Sequence, residues 1–328
     1  MKRTILTFFL FFGSTLNALS IVFVHIGNEL PTYLRSSLQQ ARLFNEECSI
    51  YLLANQEALT QLSTDWDTTL HNCKISCIAC EALEMSRPHK TFRKRSRHDR
   101  SFRDGFWIHA SERFFYVAAF MKQYGEKDVF HLENDVMLYR DLRSLLPIFH
   151  ENYSGMIGAT LDNDLRCIPG IVYISDFDPL HGLITYMAAL AHRRYNDMEV
   201  LSMYKRKTGR IHPLPIIPLQ YLVENTLENQ LGAHAAHPEE YTTHFDAFLS
   251  VFDGAALGQY LGGIDPRNGP SSPGFINESC LFDPSKFSYT WKVDEKGRSI
   301  PFLKYGSEEY QINNLHIHSK QLHEFQSQ

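Results

Sequence analysis

Two carboxylates one residue apart can reach the same cation when the backbone between them is extended, because alternate side chains then share a face. The chain has six such pairs: Asp65/Asp67, Glu126/Asp128, Glu133/Asp135, Asp162/Asp164, Asp176/Asp178 and Asp197/Glu199. Spacing does not choose among them, but setting does. Val129-Phe130-His131-Leu132 precedes Glu133-Asn134-Asp135, and Val136-Met137-Leu138-Tyr139 follows it. Two negative charges between apolar runs are costly unless a cation or hydrogen-bond donors compensate them. A hard divalent ion, Mn2+ or Mg2+, bridging to a diphosphate supplies that compensation. The competing reading is a solvated turn between two strands.

Other residues have the right types for the same chemistry. In His316-Ile317-His318-Ser319-Lys320, a period of two puts both histidines and the lysine on one face. Asp253 opens a glycine-rich stretch, as a helix N-cap or as a base beside an acceptor. Glu278 is the second carboxylate with the chemistry of a base. Residues 87–103 hold eight Lys or Arg against Asp99 alone. They read as a loop that is either solvated or closes over an anion. Cys73, Cys77 and Cys80 have spacing similar to an iron–sulfur motif, but the segment alternates like a buried strand, which argues against a cluster.

These groups need a scaffold. Residues 21–26 are an apolar, β-rich run, 31–44 have helical spacing, and 49–53 and 74–79 are short apolar strands. That order is β-α-β with short links, which predicts a parallel sheet covered by helices. Residues 107–123 read as a helix, and 128–132, 136–139, 156–159 and 170–174 as strands. Beyond about residue 180 the pattern turns to helices and loops, with a strand-like return over 312–318.

With these elements around it, the segment 128–139 resembles the strand, acidic triplet, strand arrangement of GT-A nucleotide-sugar glycosyltransferases, in which Glu often replaces the first Asp. Pro169-Gly170-Ile171-Val172-Tyr173-Ile174 is similar to the small-residue strand that follows the triplet in several branches. The late His and Lys are similar to residues that such enzymes bring to the metal and the diphosphate. The resemblance covers roughly residues 21–180 and the tail. It implies a Rossmann-like, mainly parallel sheet flanked by helices, with residues 181–328 forming the acceptor side and returning to the metal site. It implies Asp135 on the metal and Glu133 on ribose or metal-bound water. The late His implied on the metal is His316 or His318, a choice the alternation leaves open; His318 is carried forward. Lys320 is implied on the diphosphate, with a nucleotide-sugar donor and a glycan, lipid or protein acceptor as partners.

Composition sets the outer bounds. At 328 residues with 44% hydrophobic content the chain can bury a large core. A net charge of −5 argues against wholesale nucleic-acid binding. Lys2-Arg3, the apolar residues 5–12 and Ala18-Leu19-Ser20 read as a signal peptide over 1–20, giving an exported or secretory-pathway protein that starts near Ile21. A membrane anchor formed by the same segment is the alternative. Export also raises a second function, a secreted binding or host-interaction protein that keeps the fold without turnover.

Overall fold

The structure, a computed structural model, describes residues 19–270 and 272–327. The expected signal segment falls largely on residues 1–18, outside the described residues. Leu19 and Ser20 belong to the folded body, both nearly fully buried, and the Ser20 hydroxyl donates to Glu126 at 2.6 Å. The described body therefore includes the two residues before the expected Ile21.

The chain opens with β1 (Ser20–His25), α1 (Leu34–Phe44) and β2 (Ser49–Ala54), followed by α2 (Gln56–Thr60), α3 (Thr64–Asn72) and β3 (Ile75–Ala79). Next come α4 (Arg87–Arg95), α5 (Phe106–Tyr124), β4 (Val129–Leu132) and β5 (Val136–Leu138). After α6 (Leu146–Asn152), the strands β6 (Ile157–Asn163) and β7 (Arg166–Ile174) form a hairpin. The helices α7 (Phe177–Leu190) and α8 (Asp197–Thr208) and strand β8 (Ile211–Pro213) complete the α/β body. The remainder comprises α9 (Leu219–Glu224), α10 (Phe245–Phe248), β9 (Ser250–Val251), α11 (Ala256–Gly262), β10 (Ser288–Val293), β11 (Ser299–Tyr305), β12 (Glu308–Ile312) and β13 (Asn314–His316).

A seven-stranded sheet has the order β3-β2-β1-β4-β7-β6-β8, with only β7 running against the others. The expected mainly parallel sheet with helices on both faces is thus present. Alternation along β1 explains the two faces. Ile21 and Phe23 pack with Leu34, Leu38 and Ala41 of α1, whereas Val22 and Val24 pack with Phe114 and Val117 of α5 and Leu183 of α7. The sheet takes its edge strand β8 from beyond residue 180.

Two expectations are corrected. Residues 87–103 are not one loop: α4 occupies 87–95, capped by the Ser86 hydroxyl and burying His89 and Phe92. The C-terminal part also holds a four-stranded sheet, β10-β11-β12-β9, that its loop-rich composition hid. The hairpin β10–β11 turns at Asp294–Gly297, where Gly297 has a φ of 79°.

Candidate functional site

The sheet reverses its order of connection between β1 and β4: from β1 the chain proceeds to β2 and β3 on one side and later returns to β4 on the other. In open α/β sheets the crevice outside the carboxyl ends of strands at such a point is where ligands bind. Glu133-Asn134-Asp135 sits there, at the end of β4. At the end of β1, His25 Nδ1 accepts from the Asn134 side-chain amide at 3.3 Å.

The tail delivers the opposite charges. β13 pairs antiparallel with β5, His316 opposite Val136, and Ile317 N–H donates to the Asp135 carbonyl at 2.9 Å. His316 Nε2 lies 3.2 Å from both Glu133 Oε2 and Asp135 Oδ1. Lys320 Nζ contacts Asp135 Oδ2. The strand ends at His316, so the alternation expected through Lys320 is not what gathers these groups. A turn follows, in which Lys320 takes a left-handed φ of 64° that places its ammonium on Asp135.

Close backbone approach makes room for the tail. A Cβ on Gly170 would lie 2.7 Å from His316 Nδ1, and one on Gly258 would lie 2.1 Å from the His316 carbonyl oxygen. Only glycine fits at either position, which accounts for the small-residue strand and for the glycines of α11.

The two histidines differ. His316 Nδ1–H donates to the Gly254 carbonyl at 2.6 Å, which directs Nε2 toward the carboxylates. His318 Nδ1 accepts from Gln259 Nε2 at 2.7 Å, and its ring meets that of His316 edge-on at 4.2 Å. His316, not the favoured His318, therefore bridges the carboxylates. Even so, one ligand atom each of Asp135, His316 and His318 lie within 4.8 Å of one another.

Arg113 completes the centre, and nothing in its surrounding sequence marked it. It projects from α5, 2.6 Å from Glu133 Oε1 and 2.7 Å from Asp197 Oδ2, where Asp197 begins α8. Burial opposes ionisation of Glu133, but Arg113 and then His316 outweigh it and hold the carboxyl well below its usual range. Burial likewise opposes the charge on Asp135, and Lys320 and His316 outweigh it. Burial alone would lower the His316 pKa, yet Asp135 and Glu133 raise it well above the ordinary imidazole value. Burial, followed by the charge of His316, pushes His318 down to about 3.

Among the described residues, three buried polar atoms around the cluster have no partner: His25 Nε2, Asn134 Oδ1 and Arg113 Nε. Buried polar atoms are normally paired, so these three have capacity for a polar ligand. Carboxylate and imidazole donors suit Mn2+ and tolerate Mg2+ less well, so the residues present fit a divalent ion.

The other candidates stand elsewhere. Asp253 is 1% exposed and accepts from the backbone N–H groups of Leu257, Gly258 and His316 at 2.8–3.0 Å. It is a structural carboxylate fastening α11 to β13, closed to substrate, which corrects the reading of it as a base. Glu278 is exposed, and among the described residues no ion pair ties it to the carboxylate centre. Cys73, Cys77 and Cys80 do not converge: Cys77 is exposed, the other two are buried, and the only metal-compatible group among the described residues is that of Asp135. Asp162 is engaged structurally by Ser279 at 2.8 Å, and Asp164 by Tyr241 at 2.9 Å.

No known family model matches the chain, and no curated protein does. Solved structures are similar in shape. Mouse xyloside xylosyltransferase 1 in its apo form is 10% identical, with 70% of this chain and 93% of that one covered and a TM-score of 0.45. The galactosyltransferase LgtC with donor and acceptor sugar analogues is 12% identical, covering 63% and 79%, with a TM-score of 0.41. A cytidylyltransferase from Leptospira borgpetersenii is 10% identical, covering 61% and 76%, with a TM-score of 0.37. Two different transfer reactions stand among these similar shapes, so what the chain does rests on its own side chains.

Proposed function

We infer that the chain is a glycosyltransferase that moves a sugar from a nucleotide-diphosphate donor to an acceptor hydroxyl with the help of Mn2+ or Mg2+. One observation carries this reading: Asp135 and the late residues His316, His318 and Lys320 converge from distant segments at the carboxyl end of β4, beside the switch point of the sheet.

The chemistry follows from what each group offers. Asp135 and His316 would hold the ion, with His318 beside them. When bound, the ion supplies charge neutralisation to a departing diphosphate. Lys320 adds a point charge to the same phosphates when it leaves Asp135. Glu133, already neutralised by Arg113, serves as an acceptor for ribose hydroxyls or water. Arg113 itself is fixed between two carboxylates and orients Glu133. With Asp253 closed, Glu278 is the carboxylate left from the sequence reading for an acceptor base.

Titration of UDP-, GDP- and CMP-sugars by calorimetry, with Mn2+ and then with chelator, tests the reading. Metal-dependent binding of one donor, accompanied by its slow hydrolysis, is the expected result. Equal binding with and without metal overturns it. A second reading has one observation in its favour: Lys320, His316 and Arg113 already balance the carboxylates, as a non-catalytic binding protein on the same scaffold requires. Metal-dependent binding without any donor turnover would select it. Export, or anchoring by the N-terminal segment, remains part of the proposal and is tested by fractionating cells that produce the full chain.

A further inference from the structure

Two basic runs almost a hundred residues apart form one surface. The first is α4 with the segment after it, where Arg87, Lys90, Lys94, Arg95, Arg97 and Arg100 are exposed. The second is the turn after α7, with exposed Arg193 and Arg194. They are joined directly: Arg97 N–H donates to the Ala191 carbonyl at 3.3 Å, and Asp99 lies within the field of Arg194. Among the described residues, none of these eight cations forms an ion pair, whereas Arg93 and Arg103 turn inward to Glu112 and Asp265. Asp99 lies among these cations with its oxygen held by Ser101, and exposed Asp104 lies between Phe102 and Phe106.

We propose that this face docks on an anionic lipid bilayer. The charge is local: the whole chain carries −5, so the rest of the molecule is acidic and is repelled by any polyanion that surrounds it. A flat anionic surface touches one face alone and avoids that repulsion. The rim carries the other half of the signature. Phe102, Phe106 and Tyr195 are 41%, 38% and 39% exposed, beside Arg100 and Arg194, and aromatic rings of this kind settle at the headgroup level. The face also leads to the site. Arg103 donates to Asn268 at 2.6 Å and faces Asp265, a carboxylate within the field of Lys320. Docking would bring the mouth of the site toward the headgroup layer.

The test is flotation of the full chain with vesicles of phosphatidylcholine alone and of phosphatidylcholine containing phosphatidylglycerol, at physiological and at high salt. Wild type should float with the anionic vesicles only, and high salt should release it. Each cation near the surface is worth about fivefold in affinity, so R97Q/R193Q/R194Q should lose about a hundredfold, and charge reversal to Glu more. Phe102→Ser should weaken binding several-fold at unchanged charge. Calorimetric titration of metal and donor against the triple variant should match wild type, which separates failure of the bilayer from failure of the site. Equal flotation with neutral vesicles, which an apolar N-terminal anchor would give, overturns the proposal. So does an unchanged triple variant. Retention on single-stranded RNA at the same salt, stronger than on vesicles and insensitive to Phe102→Ser, would overturn it in favour of a nucleic-acid surface.

Discussion

Two buried charge clusters meet α5 at adjacent residues, Glu112 and Arg113, and they differ in how far along the chain their partners lie. Around Glu112 of α5, a single carboxylate meets His89 at 2.7 Å and Arg93, both from the neighbouring α4. Burial would keep Glu112 protonated, but its neighbours His109 and His89 and the charge of Arg93 outweigh it, so its carboxyl stays well below the usual range. One charge and its partners close the account within two helices. Around Asp135, three carboxylates (Glu133, Asp135 and Asp197) meet Arg113, His316 and Lys320, drawn from α5, the β4–β5 link, α8 and the tail. Among the described residues, Asn134 Oδ1 and Arg113 Nε have no partner there, and His109 Nδ1 beside Glu112 has none either. The difference teaches that a buried ionic network is not itself a site; carboxylates and cations gathered from distant segments at the ends of strands are what mark one.

The widest separation of the two clusters should come from Asp135→Asn. The protein should still fold, with a small loss of thermal midpoint because the shape is retained and Lys320 can turn to water, while Mn2+-dependent donor affinity falls more than about a hundredfold. Parallel loss of stability and binding would erase the contrast. Glu112→Gln should do the reverse, costing ~3–5 kcal/mol in denaturant unfolding by leaving Arg93 and His89 without their charged partner, with donor affinity of the folded fraction unchanged.

The acid dependence of Glu112 has a definite sign. Its folded pKa lies below the unfolded value, so its contribution is complete above the ordinary glutamate range and declines as pH falls below it. Unfolding of wild type between pH 7 and pH 3 should therefore show a loss that Glu112→Gln has already suffered, making that variant the flatter of the two. A third change joins the properties: Arg113→Met leaves Glu133 and Asp197 buried without their common cation. It should lower the thermal midpoint and also weaken donor binding by about tenfold.

The smallest effect separates the histidines. His316→Ala should weaken metal-dependent binding by about ten- to a hundredfold, and His318→Ala by less, because only His316 has its Nδ1 committed to a carbonyl and Nε2 free to face the ion. The opposite order, measured by the same titration, would restore His318 as the ligand.

Much of the scaffold was legible because it is local. The apolar run of residues 21–26 and the helical spacing of 31–44 and 107–123 predict the β-α-β start and α5 within a few residues. The acidic triplet was legible from its apolar flanks. Arg113 was not, since one arginine on an amphipathic helix looks like any solvated cation until α8 places Asp197 against it. The sheet β9–β12 was missed because β9 is only two residues long and β10, largely exposed, carries little of the apolar alternation that marks a half-buried strand.

The sequence by itself determined the sheet's mainly parallel character, the break between β4 and β5 that holds two carboxylates, and the presence of His and Lys on a late segment. These follow from periodicity and side-chain type, which act over a few residues. Only the tertiary structure decided that His316 rather than His318 meets both carboxylates, that the His316 N–H completes the seal on Asp253, and that two distant basic runs share a face. The reason is range. Each of those outcomes depends on which segments touch across sixty to nearly two hundred residues of chain. Such contacts are set by close packing, here by Gly170 and Gly258 admitting the His316 backbone and ring, and local pattern carries no record of them.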